Sequence, residues 1–521
     1  MRIGPKVAFA AALTLLLAAC GGSDGDSAGG SGASGGDAEP VADGAFTTAV
    51  AADPGNLHPH LTALSATRAI DAYLYDKLVY FTTDGEELPW LAESWDVTPD
   101  TVTYTLRDGI TCSDGSPLTA TDVAANFQFI ADPANQSPML GVMVPPGLTA
   151  TADDAARTVT LTAAAPDPFL LQSTGELFVV CKAGLDDPSL LEDGGVGTGM
   201  FEFTEVVRED HYTFARRDDY AWGPDGAAAA DAGTPATVNV RVIANESTVA
   251  NLMVSGELNS ASVTGPDRQR LEETYEQLAL RAIVGEIFFN QGEGHPGADD
   301  EVRAALAQAL DYEELMSVIT GGQGQRSESL TILAPAACQY DAVDGNLPEQ
   351  DTEAAAAVLE GSGLEIDLIY NSTRGDTNVA AAELIASTWT EAGVPTTARG
   401  LAPTEYNEVV FATGSWDAAL LPVNLRLPNQ IVPFLSGPVP ADGGTNLAHL
   451  DNPEYDAAVA EAMGLSGQDS CPKWQEAEEA LFAANDVLIF ADETIPFFLA
   501  GATAAIGSDG LIPPTLRLTA S

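Results

Sequence analysis

The chain has 521 residues, and its 76 Asp and Glu against 21 Lys and Arg give a formal net charge of −55. One hydrophobic core does not serve a chain of this length, so at least two lobes are expected. The composition, 45% hydrophobic and 19% charged, is typical of a globular protein. Binding to nucleic acid or to an anionic membrane surface needs clustered Lys and Arg, so the acidity excludes both roles.

The first 20 residues predict export. Arg2 and Lys6 precede an apolar run over residues 7–19. This run is shorter than the roughly 20 helical residues of a membrane span. A signal peptide over residues 1–19 is therefore expected. Residues 17–20 read Leu-Ala-Ala-Cys, similar to the bacterial lipobox, in which the cysteine is lipidated and becomes the new N-terminus. An ordinary signal peptide with a chance cysteine is the alternative.

With Cys20 lipidated, residues 20–44 form a flexible tether, because residues 21–36 contain eight Gly and four Ser. The rest of the chain is then expected to be anchored at the outer face of the cell membrane.

Export places the other four cysteines in an oxidising compartment, where two disulfides are expected. Four cysteines allow three pairings, and the local one joins Cys112 to Cys181 and Cys338 to Cys471. A zinc site is the alternative, but the sequence has no C-x-x-C pair and no Cys/His cluster. No metal or cofactor is expected.

Alternating polar and apolar residues predict antiparallel sheet in the first half of the chain. Residues 101–106 and 158–162 follow this pattern. Between them, Thr119 and Asp122 resemble a capping box that opens a helix near residues 123–130.

After residue 285 the pattern changes to an alternation of strands and helices. This alternation predicts βαβ units and a parallel sheet. The expected strands cover residues 285–290, 364–370, 394–401 and 416–421, and the expected helices cover residues 299–319, 379–392 and 404–412.

No catalytic constellation is evident in the sequence. Residues 32–36 match the G-x-S-x-G pattern of hydrolases, but they lie in the tether, without a strand before them or a helix after them. The glycine-rich residues 194–199 lack the lysine of a phosphate-binding loop. An exported hydrolase remains as an alternative that needs a nucleophile and base. No enzyme is predicted.

A collinear series of short motifs carries a family resemblance. Residues 88–95 read Leu-Pro-Trp-Leu-Ala-Glu-Ser-Trp, residues 113–123 contain Ser-Asp-Gly-Ser-Pro and Thr-Ala-Thr-Asp-Val, residues 197–201 read Gly-Thr-Gly-Met-Phe, and residues 302–306 read Val-Arg-Ala-Ala-Leu. Over about residues 45–500, the chain resembles the solute-binding lipoproteins of oligopeptide/dipeptide ABC transporters, known as family 5.

The resemblance implies an α/β fold of the type II periplasmic-binding-protein class, with two lobes, a hinge and an extra subdomain in the N-terminal lobe. We expect lobe 1 to comprise residues 45–286 plus 495–521 and lobe 2 to comprise residues 287–494, with crossovers at residues 286–290 and 494–499. Hinge closure around a ligand is the motion that the resemblance implies.

The implied function is capture of a peptide or other small organic solute and its delivery to a membrane permease. A monomer is expected. A sensor or chaperone that uses the same fold without import is the alternative.

The resemblance also points to candidate ligand-binding residues. Peptide-binding members use an Asp in a D-x-x-x-P segment to pair with the α-ammonium of the peptide, and the matching residue here is Asn424. An amide brings no charge, so a peptide with a free N-terminus is disfavoured. Arg426 in the same segment suits a ligand carboxylate, or else pairs with a surface acid.

Four further candidates come from position in the chain. Ser65 and Thr67 precede Arg68 in a loop that lines the pocket in the family, with ordinary loop hydroxyls as the alternative. Asn290 follows a crossover strand, where it either touches ligand or caps the hinge. Trp416 either walls the cavity or belongs to the core.

Overall fold

The computed structural model describes residues 39–520, apart from residues 63, 64, 193, 373 and 443. The predicted signal peptide, Cys20 and the tether up to residue 38 lie outside the described residues, as does the side chain of Ser65. In the described part of the chain, no helix has both the length and the apolar character that a membrane crossing requires.

The first half of the chain forms two four-stranded sheets, with strand orders β1-β10-β9-β8 and β4-β5-β7-β6. All neighbours pair antiparallel except β1 and β10, so the predicted antiparallel sheet is confirmed. The elements are β1 (Ala45–Val50), α1 (Ser65–Leu74), β2 (Val79–Phe81), β3 (Glu87–Pro89), β4 (Ala92–Val97), β5 (Thr101–Leu106), α2 (Ala120–Ala131), β6 (Thr149–Asp153), β7 (Thr158–Thr162), α3 (Leu170–Gly175), α4 (Lys182–Asp186), β8 (Phe201–Val207), β9 (His211–Arg216), β10 (Thr237–Val242), α5 (Glu246–Val254), β11 (Ser260–Ser262) and α6 (Arg268–Glu272).

Local sequence explains where these elements form. In β5 the side chains of Val102, Tyr104 and Leu106 are buried while the threonines between them are half-exposed, as the alternation predicts. Helix α2 begins at a capping box, in which Thr119 and Asp122 satisfy each other's backbone N–H groups.

Two long antiparallel strands form the centre of the largest sheet. They are β12 (Glu276–Phe289) and β16 (Val487–Leu499), which pair from Glu276 opposite Leu499 to Phe288 opposite Val487. The register shifts beside Gly285. The full strand order is β11-β16-β12-β15-β13-β14.

Three strands on one side of this sheet are parallel, since β13 pairs in parallel with both β14 and β15, which confirms the predicted βαβ units. The remaining elements are α7 (Asp300–Gln308), α8 (Tyr312–Ile319), α9 (Thr352–Leu359), β13 (Ile366–Asn371), α10 (Asp376–Glu391), β14 (Thr396–Leu401), α11 (Pro403–Glu408), β15 (Ala418–Leu420), α12 (Pro428–Leu435), α13 (Pro453–Ala462), α14 (Cys471–Ala483), β17 (Ala502–Thr503), β18 (Ile506–Gly507), β19 (Gly510–Leu511) and β20 (Arg517–Leu518).

The single helix predicted over residues 299–319 is wrong, because the structure has two helices there, α7 and α8. Asp311 has extended backbone angles, and its carboxylate accepts a hydrogen bond from the Glu314 N–H at 3.0 Å. An aspartate in this position caps a new helix, so the chain restarts instead of continuing.

Buried side chains of the described residues form an N-terminal core, a C-terminal core of two clusters, and a small separate cluster that joins residues 249–271 to Phe498. The N-terminal core draws on residues 46–240 and again on residues 502–518 of the chain's tail. The C-terminal core draws mainly on residues 283–491. Phe169 enters the C-terminal core from the N-terminal half, with its ring centroid 6.2 Å from that of Trp474.

Each core carries one disulfide. Cys112 is joined to Cys181 beside the N-terminal core, and Cys338 is joined to Cys471 beside the C-terminal core. These are the local pairings that the sequence favoured over the other two.

Asn424 fastens the segment after β15 to the crossing strand β12. Its side-chain oxygen accepts a hydrogen bond from the Ile283 N–H at 2.7 Å, and its side-chain nitrogen donates to the Ile283 carbonyl at 3.0 Å. The amide thus satisfies both backbone groups of one residue, next to the register shift at Gly285. Both functions of the amide are needed here, a donor and an acceptor.

We expect Asn424→Asp to lower the free energy of unfolding by about 1–3 kcal/mol, because a carboxylate cannot donate to the Ile283 carbonyl. Urea unfolding at pH 7 measures the change. Asn251→Asp is the matched control, since Asn251 is exposed and its oxygen accepts from Arg270, a contact that aspartate keeps. Equal stability of the two variants would contradict the role of the amide.

Three acids are buried on or against the long strands: Glu286, Glu478 and Asp492. Glu478 of α14 accepts hydrogen bonds from the Tyr340 hydroxyl at 2.8 Å and from the Leu330 N–H at 2.9 Å. Burial, only partly offset by these two hydrogen bonds, raises the pKa of Glu478 to about 7.

This raised pKa makes stability depend on pH. Between its usual value of 4.5 and about 7, Glu478 binds its proton more tightly in the folded than in the unfolded state. The free energy of unfolding therefore falls as pH rises through this interval.

We expect Glu478→Gln to flatten the pH dependence of the free energy of unfolding between pH 4.5 and 7, by up to about 1.4 kcal/mol per pH unit. Urea unfolding at half-unit steps of pH measures the slope. Glu476→Gln, an exposed neighbour on the same helix, provides the same charge change and should leave the slope close to that of the unmodified protein. An unchanged slope in Glu478→Gln would contradict the assignment.

Candidate ligand-binding cleft

Two cavities lie where the turn between β2 and β3 meets the segment that follows α8. The larger has a volume of about 430 Å³, within the range of small-molecule sites. The smaller, of about 110 Å³, adjoins it, since Ala336 lines both. The larger cavity is lined by Thr83, Ala279, Arg281, Ser329, Thr331 and Tyr340, among others, and the smaller by Phe81, Glu87, Gln172, Arg426 and Gln468, among others.

Arg281 of β12, which lines the larger cavity, forms ion pairs with two acids. Arg281 donates from Nη2 to Asp492 at 2.7 Å and from Nη1 to Glu328 at 3.3 Å. Asp492 also accepts a hydrogen bond from the Ser327 hydroxyl. Arg281 is therefore already paired with two acids at this end of the cleft.

Five charged side chains form a buried ion network beside the smaller cavity. Asp509 joins two cations, with Arg68 Nε at 2.5 Å from Oδ1 and Lys77 Nζ at 2.7 Å from Oδ2. Glu176 joins two as well, with Lys77 Nζ at 3.8 Å and the Arg426 guanidinium in direct contact. The ion network thus alternates in sign and has an arginine at each end.

The ion network unites four distant parts of the chain. Arg68 lies on α1 and Lys77 just before β2, whereas Glu176 follows α3 and Asp509 lies in the turn between β18 and β19. Arg426 precedes α12 and reaches the network from the C-terminal half. A contact made by residues so far apart depends on the whole fold.

Electrostatics in the ion network show which charges dominate. Burial opposes ionisation of Asp509, but the charges of Arg68 and Lys77 outweigh it and hold the pKa of Asp509 well below its usual range. Burial lowers the pKa of Lys77 to about 8 and that of Arg426 to about 10, in spite of the attraction of Asp509. Lys77 and Arg426 are therefore less well compensated than Arg68, whose pKa is raised, in spite of burial, by the charge of Asp509.

The segment after Arg426 also contacts the N-terminal half. The Asn429 side chain donates to Asp167 at 2.9 Å, and the Gln430 side chain donates to the Val142 carbonyl at 2.8 Å. Together with the Arg426–Glu176 contact, these bonds hold the two halves against each other at the smaller cavity.

Of the predicted ligand-binding residues, Arg426 lines one of these two cavities. Asn424 is held by Ile283, as described above. Thr67 is buried and donates from its hydroxyl to the Pro54 carbonyl at 2.7 Å. These two side chains have structural partners.

Asn290 and Trp416 contact each other at the end of β12. The Asn290 side chain is buried and donates to the Trp416 carbonyl at 3.0 Å and to the Gly414 carbonyl at 3.2 Å. Its oxygen accepts from the Gly292 N–H at 3.0 Å. The Trp416 ring is buried in the C-terminal core. The side chain of Ser65, in the first turn of α1, lies outside the described residues.

Sequence reasoning missed Lys77, Glu176 and Asp509. The signal for Lys77 was present, since the chain has only four lysines and this one sits among apolar residues. Glu176 and Asp509 are two among 76 acids, and nothing in their local sequence separates them from surface residues. Their roles depend on contacts across hundreds of residues.

Comparisons with known proteins show which family has this architecture. Residues 86–434 match the family described as "Bacterial extracellular solute-binding proteins, family 5 Middle". The chain is 24% identical over 463 residues to the probable deoxycholate-binding periplasmic protein YgiS of Escherichia coli (strain K12), covering 80% of this chain and 81% of that one. It is 23% identical over 486 residues to the oligopeptide-binding protein OppA of Bacillus subtilis (strain 168), covering 85% of each.

A solved structure agrees with the sequence relatives. The substrate-binding protein of Microbacterium hydrocarbonoxydans, complexed with 4-hydroxybenzoate hydrazide, is 25% identical, with a TM-score of 0.70 over 91% of this chain and 100% of that one. The predicted type II periplasmic-binding-protein-like fold is thereby confirmed. Because the family match covers more than half of the chain, this protein belongs to the bacterial extracellular solute-binding proteins of family 5.

Proposed function

We propose that the protein is the extracytoplasmic receptor of an ABC importer, which encloses a small organic solute in the cleft and delivers it to a membrane permease. The cleft that carries this proposal is the larger cavity of about 430 Å³, together with the adjoining smaller one. Contributions from both halves of the chain to their walls suit a site that forms when the halves close. The work is binding, without bond chemistry.

The halves of the cleft correspond to two proposed lobes, with lobe 1 comprising residues 45–286 and 495–521 and lobe 2 comprising residues 287–494. The proposed hinge is the β12–β16 pair, which runs through both lobe boundaries. The irregular register at Gly285 supports this location, because a break in the ladder concentrates bending.

The family does not by itself name the solute. One relative is called deoxycholate-binding, another oligopeptide-binding, and the solved structure holds an aromatic hydrazide. A peptide remains within the proposed class of solutes. However, the hydrogen bonds of Asn424 to Ile283 argue against recognition of a peptide α-ammonium at that residue.

We expect native mass spectrometry of the protein, purified from its own organism without a ligand-removal step, to show a bound small molecule that is released on denaturation. Adding the released molecule back should raise the Tm of the emptied protein. An empty protein whose Tm is unmoved by peptides, amino-acid derivatives, sugars and bile acids would contradict the receptor function.

We further propose that the receptor is a monomer anchored by a lipid on Cys20, after removal of residues 1–19. Such an anchor would keep the receptor close to a permease. Residues 39–41 at the end of the predicted tether bond to the chain's tail, since the Val41 N–H donates to the Leu518 carbonyl and the Ala520 N–H donates to the Glu39 carbonyl.

Cys20→Ser should move the protein from the membrane fraction to the soluble extracytoplasmic fraction, because one thioether-linked lipid is then lost. Fractionation followed by immunoblotting measures the shift. The cleft proposed here is lined by residues of the described part of the chain, so ligand binding should stay unchanged. Retention of the Cys20→Ser protein in the membrane would contradict lipidation.

A further inference from the structure

Cations are scarce in this protein, yet three of them meet in one buried place. The chain has 21 Lys and Arg against 76 Asp and Glu. Arg68, Lys77 and Arg426 all belong to the ion network, and each is at most 8% exposed. Burying a cation is costly unless an anion compensates it, so this concentration calls for an explanation.

The ion network contains more positive than negative charge. Its three cations face two acids, Glu176 and Asp509. A further acid nearby, Asp71 on α1, is fully buried, and neither of its carboxyl oxygens has a hydrogen-bond partner. Burial raises the pKa of Asp71 well above its usual range, against the attraction of Arg68, which weakens the compensation that Asp71 offers.

The surplus charge is accessible at Arg426. Its Nη1 atom contacts Glu176, and the guanidinium makes no further hydrogen bond or ion pair with a described residue. A guanidinium carries five N–H donors, so donors remain on the side that lines the smaller cavity. At the other end of the ion network, by contrast, Asp509 accepts from both Nε and Nη2 of Arg68.

The acid that lines the smaller cavity is already engaged. Glu87 accepts hydrogen bonds from the Trp95 indole at 3.3 Å and from the Gln172 side chain at 3.2 Å. Burial raises the pKa of Glu87, which weakens its competition for Arg426. Glu176 already pairs with Arg426, and the remaining donors of the guanidinium are available to an external anion.

On the basis of the proposed function, we propose that the solute carries a carboxylate, which binds Arg426 in the smaller cavity while the rest of the solute occupies the larger one. The smaller cavity, about 110 Å³, has room for a carboxylate but not for a whole solute, and Ala336 is common to both walls. A carboxylate would balance the surplus charge and accept hydrogen bonds in the plane of the guanidinium.

The experiment compares matched acids and amides as probes of the full-length receptor after removal of any bound solute. The pairs are hippurate and hippuramide, N-acetyl-dialanine and its C-terminal amide, and deoxycholate and its amide. Thermal shift ranks the probes and isothermal titration gives the Kd values. For the pair that fits the larger cavity, the acid should bind about 10- to 100-fold more tightly than its amide.

Variants then assign the preference to Arg426. Arg426→Gln should abolish the advantage of the acid, although it leaves Glu176 without its partner. The double variant Arg426→Gln/Glu176→Gln removes both charges and covers the case in which the single variant fails to fold. Arg241→Gln is the matched control, because Arg241 is more exposed and faces Glu257 at 3.7 Å, away from the ion network. It should keep the preference for the acid.

Each outcome supports or overturns the carboxylate site, the receptor function, or both. An acid preference that disappears in the double variant and persists in Arg241→Gln supports the carboxylate site. Amides that bind as well as acids, or an acid preference that survives in the double variant, overturn the carboxylate site while the receptor function stands. If none of the probes binds and the protein from its own organism is empty, both proposals are overturned. If that protein instead holds a solute without a carboxylate, only the carboxylate site is overturned.

Discussion

The pairing of β12 with β16 is the interaction on which the rest of the structure depends. The two strands stay paired from Glu276 opposite Leu499 to Phe288 opposite Val487. At one end β16 pairs with β11 and leads into the chain's tail, and at the other β12 pairs antiparallel with β15 of the same sheet. Both cores therefore take their relative position from one ladder, and Arg281 on this ladder lines the larger cavity and pairs with Asp492.

The placement of charge gives the ion network, with three cations and two acids, a character opposite to that of the molecule as a whole. Excess acid on the surface favours solubility and has little to do with the ligand. Inside the ion network, burial strengthens each interaction, because less water screens the charges. The charge that a solute would meet at Arg426 is therefore set by this network and not by the net charge of −55. Local composition of the site carries more information about the solute than the total charge.

Features that depend on neighbouring residues were predictable from the sequence. The capping box at Thr119, the alternation in β5 and the strand–helix alternation after residue 285 each express a short-range physical preference. The break between α7 and α8 is also local, but the apolar periodicity across it concealed the capping role of Asp311. Arg426 was named as a carboxylate ligand on residue type alone.

The remainder of the candidate site could not be predicted, because it consists of contacts between distant residues. Arg68 and Asp509 are separated by 441 positions, and Asn424 and Ile283 by 141. Without knowledge of the fold, an asparagine that hydrogen-bonds to backbone N–H and carbonyl groups cannot be distinguished from one that contacts a ligand. Physical chemistry sets the cost of an unpaired buried group, but only the topology says which groups meet.

The return of the tail to the N-terminal core has a consequence for biosynthesis. Ala502, Ile512, Leu516 and Leu518 complete that core, and Asp509 supplies one of the two acids of the ion network. An exported chain emerges with its N-terminus first, so the part that begins the fold must wait for the last twenty residues to finish it. A prematurely ended chain would lack the anion between Arg68 and Lys77. Its N-terminal half would therefore be left incompletely folded, although only a short C-terminal segment is missing.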